Sequence, residues 1–142
     1  RRHHFTSAGD IDPSVMDVSD YPDMQDLLLI CDMLITDYSS SIWDYSFTGR
    51  PCFLFTPDLA EYERIRGFDV DIREWGFPVC EDDEALTDAV LSFDSGEHLS
   101  RMERHHSTLG SFERGTATEE ICCFLAEKTG IRRIESSTVK EG

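Results

Sequence analysis

The stretch "MLITDYSSSIWDYSFTGRPCFLF", residues 33–55, constrains the fold more than any other part of the chain. Two short apolar runs, 33–36 and 51–55, suit buried strands. The first reads as a central strand, and Pro51 opens the second. Between them, residues 40–49 have the pattern of a short helix that closes on Gly49. Strands that alternate with helices define a parallel sheet with helices on both faces.

The same alternation continues on either side. "VMDV" at 15–18 reads as a short strand. The helix that follows takes Ser19 or Asp20 as its N-cap and Pro22 in its first turn. Leu27 to Ile30 are apolar on all sides of that helix, which predicts deep burial. Residues 58–67 read as a helix running from Asp58 to Gly67, and "FDVDI" at 68–72 as a short strand. Residues 82–93 and 96–110 read as surface helices. Residues 116–130 form an amphipathic helix with Ala117, Ile121, Phe124 and Leu125 on one face. The expected organisation is one Rossmann-like domain over 1–130 and a loose tail over 131–142.

Composition narrows the functional classes. The 142 residues carry a net charge of −16, which opposes a nucleic-acid partner and direct docking on anionic lipid. An anionic ligand would have to be held by local backbone donors and a few cations, against that field. No apolar run approaches the roughly 20 residues of a membrane span, and "RRHH" at the start is not followed by a signal-type stretch. The five cysteines, 31, 52, 80, 122 and 123, include no C-x-x-C pair or zinc spacing. They read as reduced, structural small hydrophobes.

The densest chemistry is "TDYSSS" at 36–41, between a strand's carboxyl end and a helix start. Ligands of parallel α/β sheets bind at that edge. A helix N-terminus offers unpaired N–H groups and the positive end of a dipole, both suited to phosphate. Ordinary N-capping needs only one serine; three in a row point to a phosphate-bearing ligand as much as to a cap. Arg64 and Arg66 end a helix, where cations complement the dipole, and Arg66 is also a possible phosphate contact beside Gly67. Asp69-Val70-Asp71 spells D-x-D, but so short an acidic pattern among 29 acids carries no metal assignment. His98, His105 and His106 fall on a surface helix and read as solvated. Trp43 and Trp75 read as packing residues.

"DYPDMQDLLLICDMLITDYSSSIWDY", residues 20–45, resembles the most characteristic stretch of the CDP-glycerol glycerophosphotransferases, the teichoic-acid primases and polymerases. "RRHHF" is similar to that family's R-x-H-P/H segment, with His3 (or its neighbour His4) as the motif histidine. "PDLAEYERIRGF" resembles its D-x-x-x-Y…R-G-F element, and "SFERGTATEEI" its late helix start. The resemblance implies the C-terminal, donor-binding half of a GT-B-type transferase. Asp44, Gly49 and Pro51 also fit the general GT-B spacing of an acid followed by G-x-P.

On that resemblance, the loop from Thr36 to Ser41 holds the phosphates of CDP-glycerol: Ser39, Ser40 and Ser41 cradle them, Asp37 and Tyr38 shape the loop, and His3 steadies the leaving group, with Arg66 added as a substrate contact by its position before Gly67. No metal or other cofactor is implied. The acceptor would be a polyol phosphate or lipid-linked chain at the cytoplasmic face of the membrane, reached through parts outside this chain. A CDP-ribitol transferase and a non-catalytic ligand-binding domain of the same fold are the alternatives. The family's H-G-T/S-x-x-K segment, which supplies the base, belongs to an N-terminal domain not found here, so the isolated chain is expected to be inactive. Arg114-Gly115 stands where the family has Asp-Gly, and Asp69 where it often has an aromatic residue.

Overall fold

A computed structural model of the chain describes residues 14–111 and 113–130. The elements are α1 (Met24–Ile30), β1 (Leu34–Thr36), α2 (Ser41–Ser46), β2 (Cys52–Phe55), α3 (Leu59–Ile65), a 3-10 turn (Ile72–Glu74), β3 (Val79–Cys80), α4 (Asp83–Leu91), α5 (Ser95–Leu109) and α6 (Ala117–Thr129). The strands form one parallel sheet in the order β1-β2-β3. Leu34 lies opposite Cys52, and Leu54 opposite Val79. The chain is thus α/β with a parallel sheet, as its alternating pattern predicts. Two compact units divide between His105 and His106.

In the first unit β2 is the central strand, and side chains alternate across it. Cys52 and Leu54 join a core with Leu28, Ile42, Tyr45, Leu59, Ile72, Phe77 and Met102. Phe53, also fully buried, meets Phe93 at a ring separation of 5.8 Å. Full burial of such a side chain contributes about 1.5–3 kcal/mol, so β2 anchors this unit from both faces. The turn into β2 relies on Gly49, whose φ of +67° and close approach to Leu99 (a Cβ would lie 2.9 Å from Leu99 Cδ2) exclude a larger residue. Next to it, Arg50 Nη1 donates to the carbonyls of Leu29 and Cys31, both at 2.7 Å. The Tyr45 hydroxyl also donates to Cys31 O, at 2.8 Å. A cation thereby satisfies the exposed carbonyl end of α1 and ties that helix to the sheet.

Several local expectations are corrected. Residues 15–18 form no strand. The cap of α1 lies three residues beyond Asp20: it is Asp23, whose carboxylate accepts from the Gln25 and Asp26 amides. Pro22 disfavours helical backbone at Tyr21, so the helix starts after it. α1 is not deeply buried: Leu28 is, while Leu29 is 64% and Ile30 74% exposed. β1 lies at the edge of the described sheet, not its centre. Residues 68–72 form no strand either; Asp71 instead caps the 3-10 turn by accepting from Arg73 N. β3 was not anticipated.

Two further readings change in the helices. His98 is fully buried, not solvated. It shares an i, i+4 stripe with buried Met102, and its ring lies 5.3 Å from that of Phe93. Cys52 and Cys80 are buried as expected, but Cys122 and Cys123 are exposed. In the second unit, α6 ends on Gly130 in the left-handed region. Its Ile121, Phe124 and Leu125 remain exposed among the described residues.

Candidate functional site

β1 delivers Thr36, and the four residues after it turn the chain into α2. Asp37 makes the turn by accepting the Ser39 amide on Oδ1 at 3.1 Å, a local bond typical of Asp in tight loops. The Ser39 and Ser41 hydroxyls lie 3.0 Å apart and bond to each other. Ser39 Oγ also accepts a long bond from the Ser41 amide, at 3.4 Å. Ser40 differs from both. It is the residue before α2, but its φ of −63° and ψ of −13° are already helical, and its side chain makes no capping bond. An N-cap needs extended backbone to swing its oxygen over the first-turn amides. Among the described residues, neither the amide nor the hydroxyl of exposed Ser40 has a hydrogen-bond partner. Two donors of an exposed residue are therefore without a partner among the described residues, one residue before a helix begins.

The loop is fastened from the side by α3. The Tyr38 hydroxyl donates to Asp58 Oδ1 at 2.8 Å. The Tyr38 ring stacks on Tyr62, with centroids 3.6 Å apart, and lies 5.8 Å from Phe68. Burial of the ring and the bond to the Asp58 carboxylate both hold the phenol well above its usual range of ionisation, so it remains a donor. Asp58 precedes α3 in the N-cap position yet makes no capping bond. That forgoes about 0.5–2 kcal/mol of helix stabilisation. In the sequence Asp58 opened the helix and, with Tyr62, supplied the ends of the D-x-x-x-Y element; that i, i+4 spacing was the signal that both face one neighbour.

The other expected site residues separate. Arg66 closes α3 by donating its amide to Tyr62 O at 2.8 Å. Its exposed guanidinium makes no hydrogen bond to the serine loop, although Tyr62 and Phe68 bring its stretch of chain beside Tyr38. Asp44 accepts from Gln25 Nε2 at 3.3 Å, joining α1 to α2. Asp71, half of the D-x-D pattern, is engaged by the Arg73 amide and guanidinium, which lower its ionisation range. Arg73 also reaches Glu63 and Glu81, so this acid belongs to a surface ion-pair network. Trp43 packs on Trp75, with ring centroids 4.9 Å apart, and stacks on His105. His3 and His4 lie outside the described residues.

The described residues thus form an α/β unit whose first parallel strand ends in a hydroxyl-rich turn. The family comparison is more specific. The profile of "CDP-Glycerol:Poly(glycerophosphate) glycerophosphotransferase" matches residues 2–127, and the chain belongs to that family. It is 37% identical over 128 residues to a teichoic acid glycerol-phosphate transferase of Staphylococcus aureus, covering 86% of this chain and 33% of that protein. It is 32% identical over 127 residues to a teichoic acid ribitol-phosphate primase of Bacillus spizizenii, covering 89% and 32% respectively. A solved structure of the wall teichoic acid polymerase TagF superposes with a TM-score of 0.69 at 27% identity, over 85% of this chain and 31% of TagF. The chain thus spans about a third of the length of these relatives.

Proposed function

We propose that this chain is the donor-binding half of a GT-B-type enzyme that transfers glycerol phosphate from CDP-glycerol to a polyol-phosphate acceptor, releasing CMP. Residues 1–130 form the donor domain, and 131–142 a tail. The observation that carries this reading is Ser40, which makes no side-chain capping bond and whose two donors have no hydrogen-bond partner among the described residues, at the carboxyl end of a parallel strand. Family membership supports it, as does a TagF structure obtained after a soak with CDPG.

In the reaction, an acceptor hydroxyl attacks the phosphorus attached to glycerol. The bridging bond to CMP breaks, CMP departs with that oxygen, and the acceptor proton passes to a base in the companion N-terminal domain. Phosphoryl transfer depends mostly on positioning and on stabilising charge. Ser40 donates its amide and hydroxyl to the diphosphate. Ser39 and Ser41 hold the loop's shape through their mutual bond, with Thr36 and Asp37 setting its entry and Tyr38 its flank. Arg66 supplies a cation against the chain's negative field, and His3 stabilises departing CMP. The enzyme works at the cytoplasmic face of the membrane, on a lipid-linked or polymeric acceptor. Among the described residues, no helix is long and apolar enough to cross a membrane.

The test is CMP release by the full-length polypeptide given a glycerol-phosphate acceptor. CDP-glycerol should be turned over, UDP-sugars should not, and the 142-residue chain alone should be inactive. The 32% identity to a ribitol-phosphate primase favours CDP-ribitol as the second reading, decided by which CDP-polyol gives the higher kcat/KM. Release of CMP from neither would overturn the assignment.

A further inference from the structure

The Tyr38–Asp58 bond joins two turns that leave the same edge of the sheet, the one after β1 and the one after β2. Asp58 reaches it by turning away from the first-turn amides of its own helix. Tyr38 sits between Asp37 and Ser39, the two residues joined by the turn-forming bond. Rotation of its backbone would therefore move Ser39, and with it Ser40. The ring is held on its other side by Tyr62 and Phe68, so hydroxyl and ring fix it together. Both loop-side carboxylates are spent internally: Asp37 on the Ser39 amide and Asp58 on the phenol.

We propose that Tyr38 and Asp58 are positioning residues, whose hydrogen bond clamps the serine loop to the start of α3 and sets where Ser40 presents its donors. The inference rests on the donor-binding reading of that loop. It makes Asp58, otherwise an unremarkable helix-start acid, a determinant of donor binding through a residue it touches rather than through the ligand.

The experiment varies CDP-glycerol and acceptor separately in the full-length enzyme, with thermal unfolding followed on the same preparations. Tyr38→Phe keeps the ring stack and removes only the hydroxyl; Asp58→Ala removes the acceptor; Asp58→Asn keeps an acceptor oxygen without charge. Loss of one hydrogen bond to a charged group should raise the KM for CDP-glycerol about 10- to 150-fold in Tyr38→Phe and Asp58→Ala, with the acceptor KM unchanged. The double variant should be no worse than either single one, since both remove the same bond. Asp58→Asn should recover most of the loss. Should Asp58→Ala fail to fold, Tyr38→Phe decides alone. A donor KM within about twofold of the parent in Tyr38→Phe, while Ser40→Ala is impaired, overturns the clamp and leaves the donor loop standing. A loss of stability with equal rises in both KM values overturns it too. An unaffected Ser40→Ala would instead remove the donor-loop reading, and the clamp with it.

Discussion

The turn from β3 into α4 and the turn from β1 into α2 leave the same edge of one sheet and treat their helices differently. At β3–α4, Asp82 is fully extended and its carboxylate accepts the Ala85 amide at 2.8 Å. That helix start is closed. At β1–α2, Ser40 has helical backbone and caps nothing, although two more serines flank it. A turn that only has to begin a helix places one acid over the first-turn amides. A turn that leaves donors unpaired gives up that stabilisation and retains capacity for a ligand.

Reversing the chemistry of each turn gives the largest expected effects. Ser40→Asp puts an anion where the diphosphate is proposed to sit. Repulsion at about 4 Å, on the order of 4 kcal/mol near a protein surface, should cut kcat/KM for CDP-glycerol more than about 100-fold. The same anion at a helix start should leave stability unchanged or raised by about 0.3–1 kcal/mol. Thermal unfolding and initial rates on one preparation check both signs. Ser40→Ala comes next: loss of one hydroxyl bond to ionised phosphate, about 1.5–3 kcal/mol, should lower kcat/KM about 10- to 150-fold without lowering Tm. Asp82→Ala should show the opposite pattern, losing about 0.5–2 kcal/mol in denaturant unfolding while kcat/KM stays within about twofold. If Asp82→Ala weakened the donor and Ser40→Ala only the fold, the contrast would be inverted.

Much of this contrast was legible in the sequence, but not its details. Residue types located the serine turn, because hydroxyls between a strand run and a helix run have few other uses. They could not show that Ser39 and Ser41 occupy each other, since that depends on loop dihedrals. Like Asp82, Asp58 stood at the start of a helix run, where residue type does not tell a cap from a contact to another loop. Only the fold, by setting Tyr38 beside α3, redirects it. Strand runs failed where the ladder decides: residues 15–18 are apolar enough but form no strand, whereas two-residue β3 exists because Phe55 and Cys80 align. The burial of His98 was signalled by its i, i+4 partner Met102, in a helix whose polar composition pointed the other way.

His98 provides the smallest of the predicted effects and separates stability from binding. Burial lowers its affinity for a proton, outweighing the neighbouring Arg50 backbone, which favours the charged form; neither ring nitrogen makes a hydrogen bond of standard geometry. The folded state therefore holds the ring neutral below the unfolded value of about 6.5. Below that pH the unfolded chain takes up a proton that the folded chain resists. This contribution is complete above about 6.5 and declines as pH falls towards the lowered folded value. Denaturant unfolding between pH 7.5 and 5 (a range of about 2.5 units around the free-histidine value) should show the decline. His98→Phe should flatten it without changing the donor KM at pH 7.5 (about one unit above that value). A variant with the parent's pH profile would mean that His98 does not titrate across unfolding.

The central claim, that the turn after β1 receives the donor's phosphates, is tested most directly by amide chemical shifts in the full-length protein. CDP-glycerol and CDP should both move the Ser39, Ser40 and Ser41 amides, Ser40 most, while cytidine without phosphate leaves them in place and the Asp83 to Ala85 amides of the closed turn stay still throughout. Equal movement with cytidine, or movement confined to the α4 turn, would contradict it.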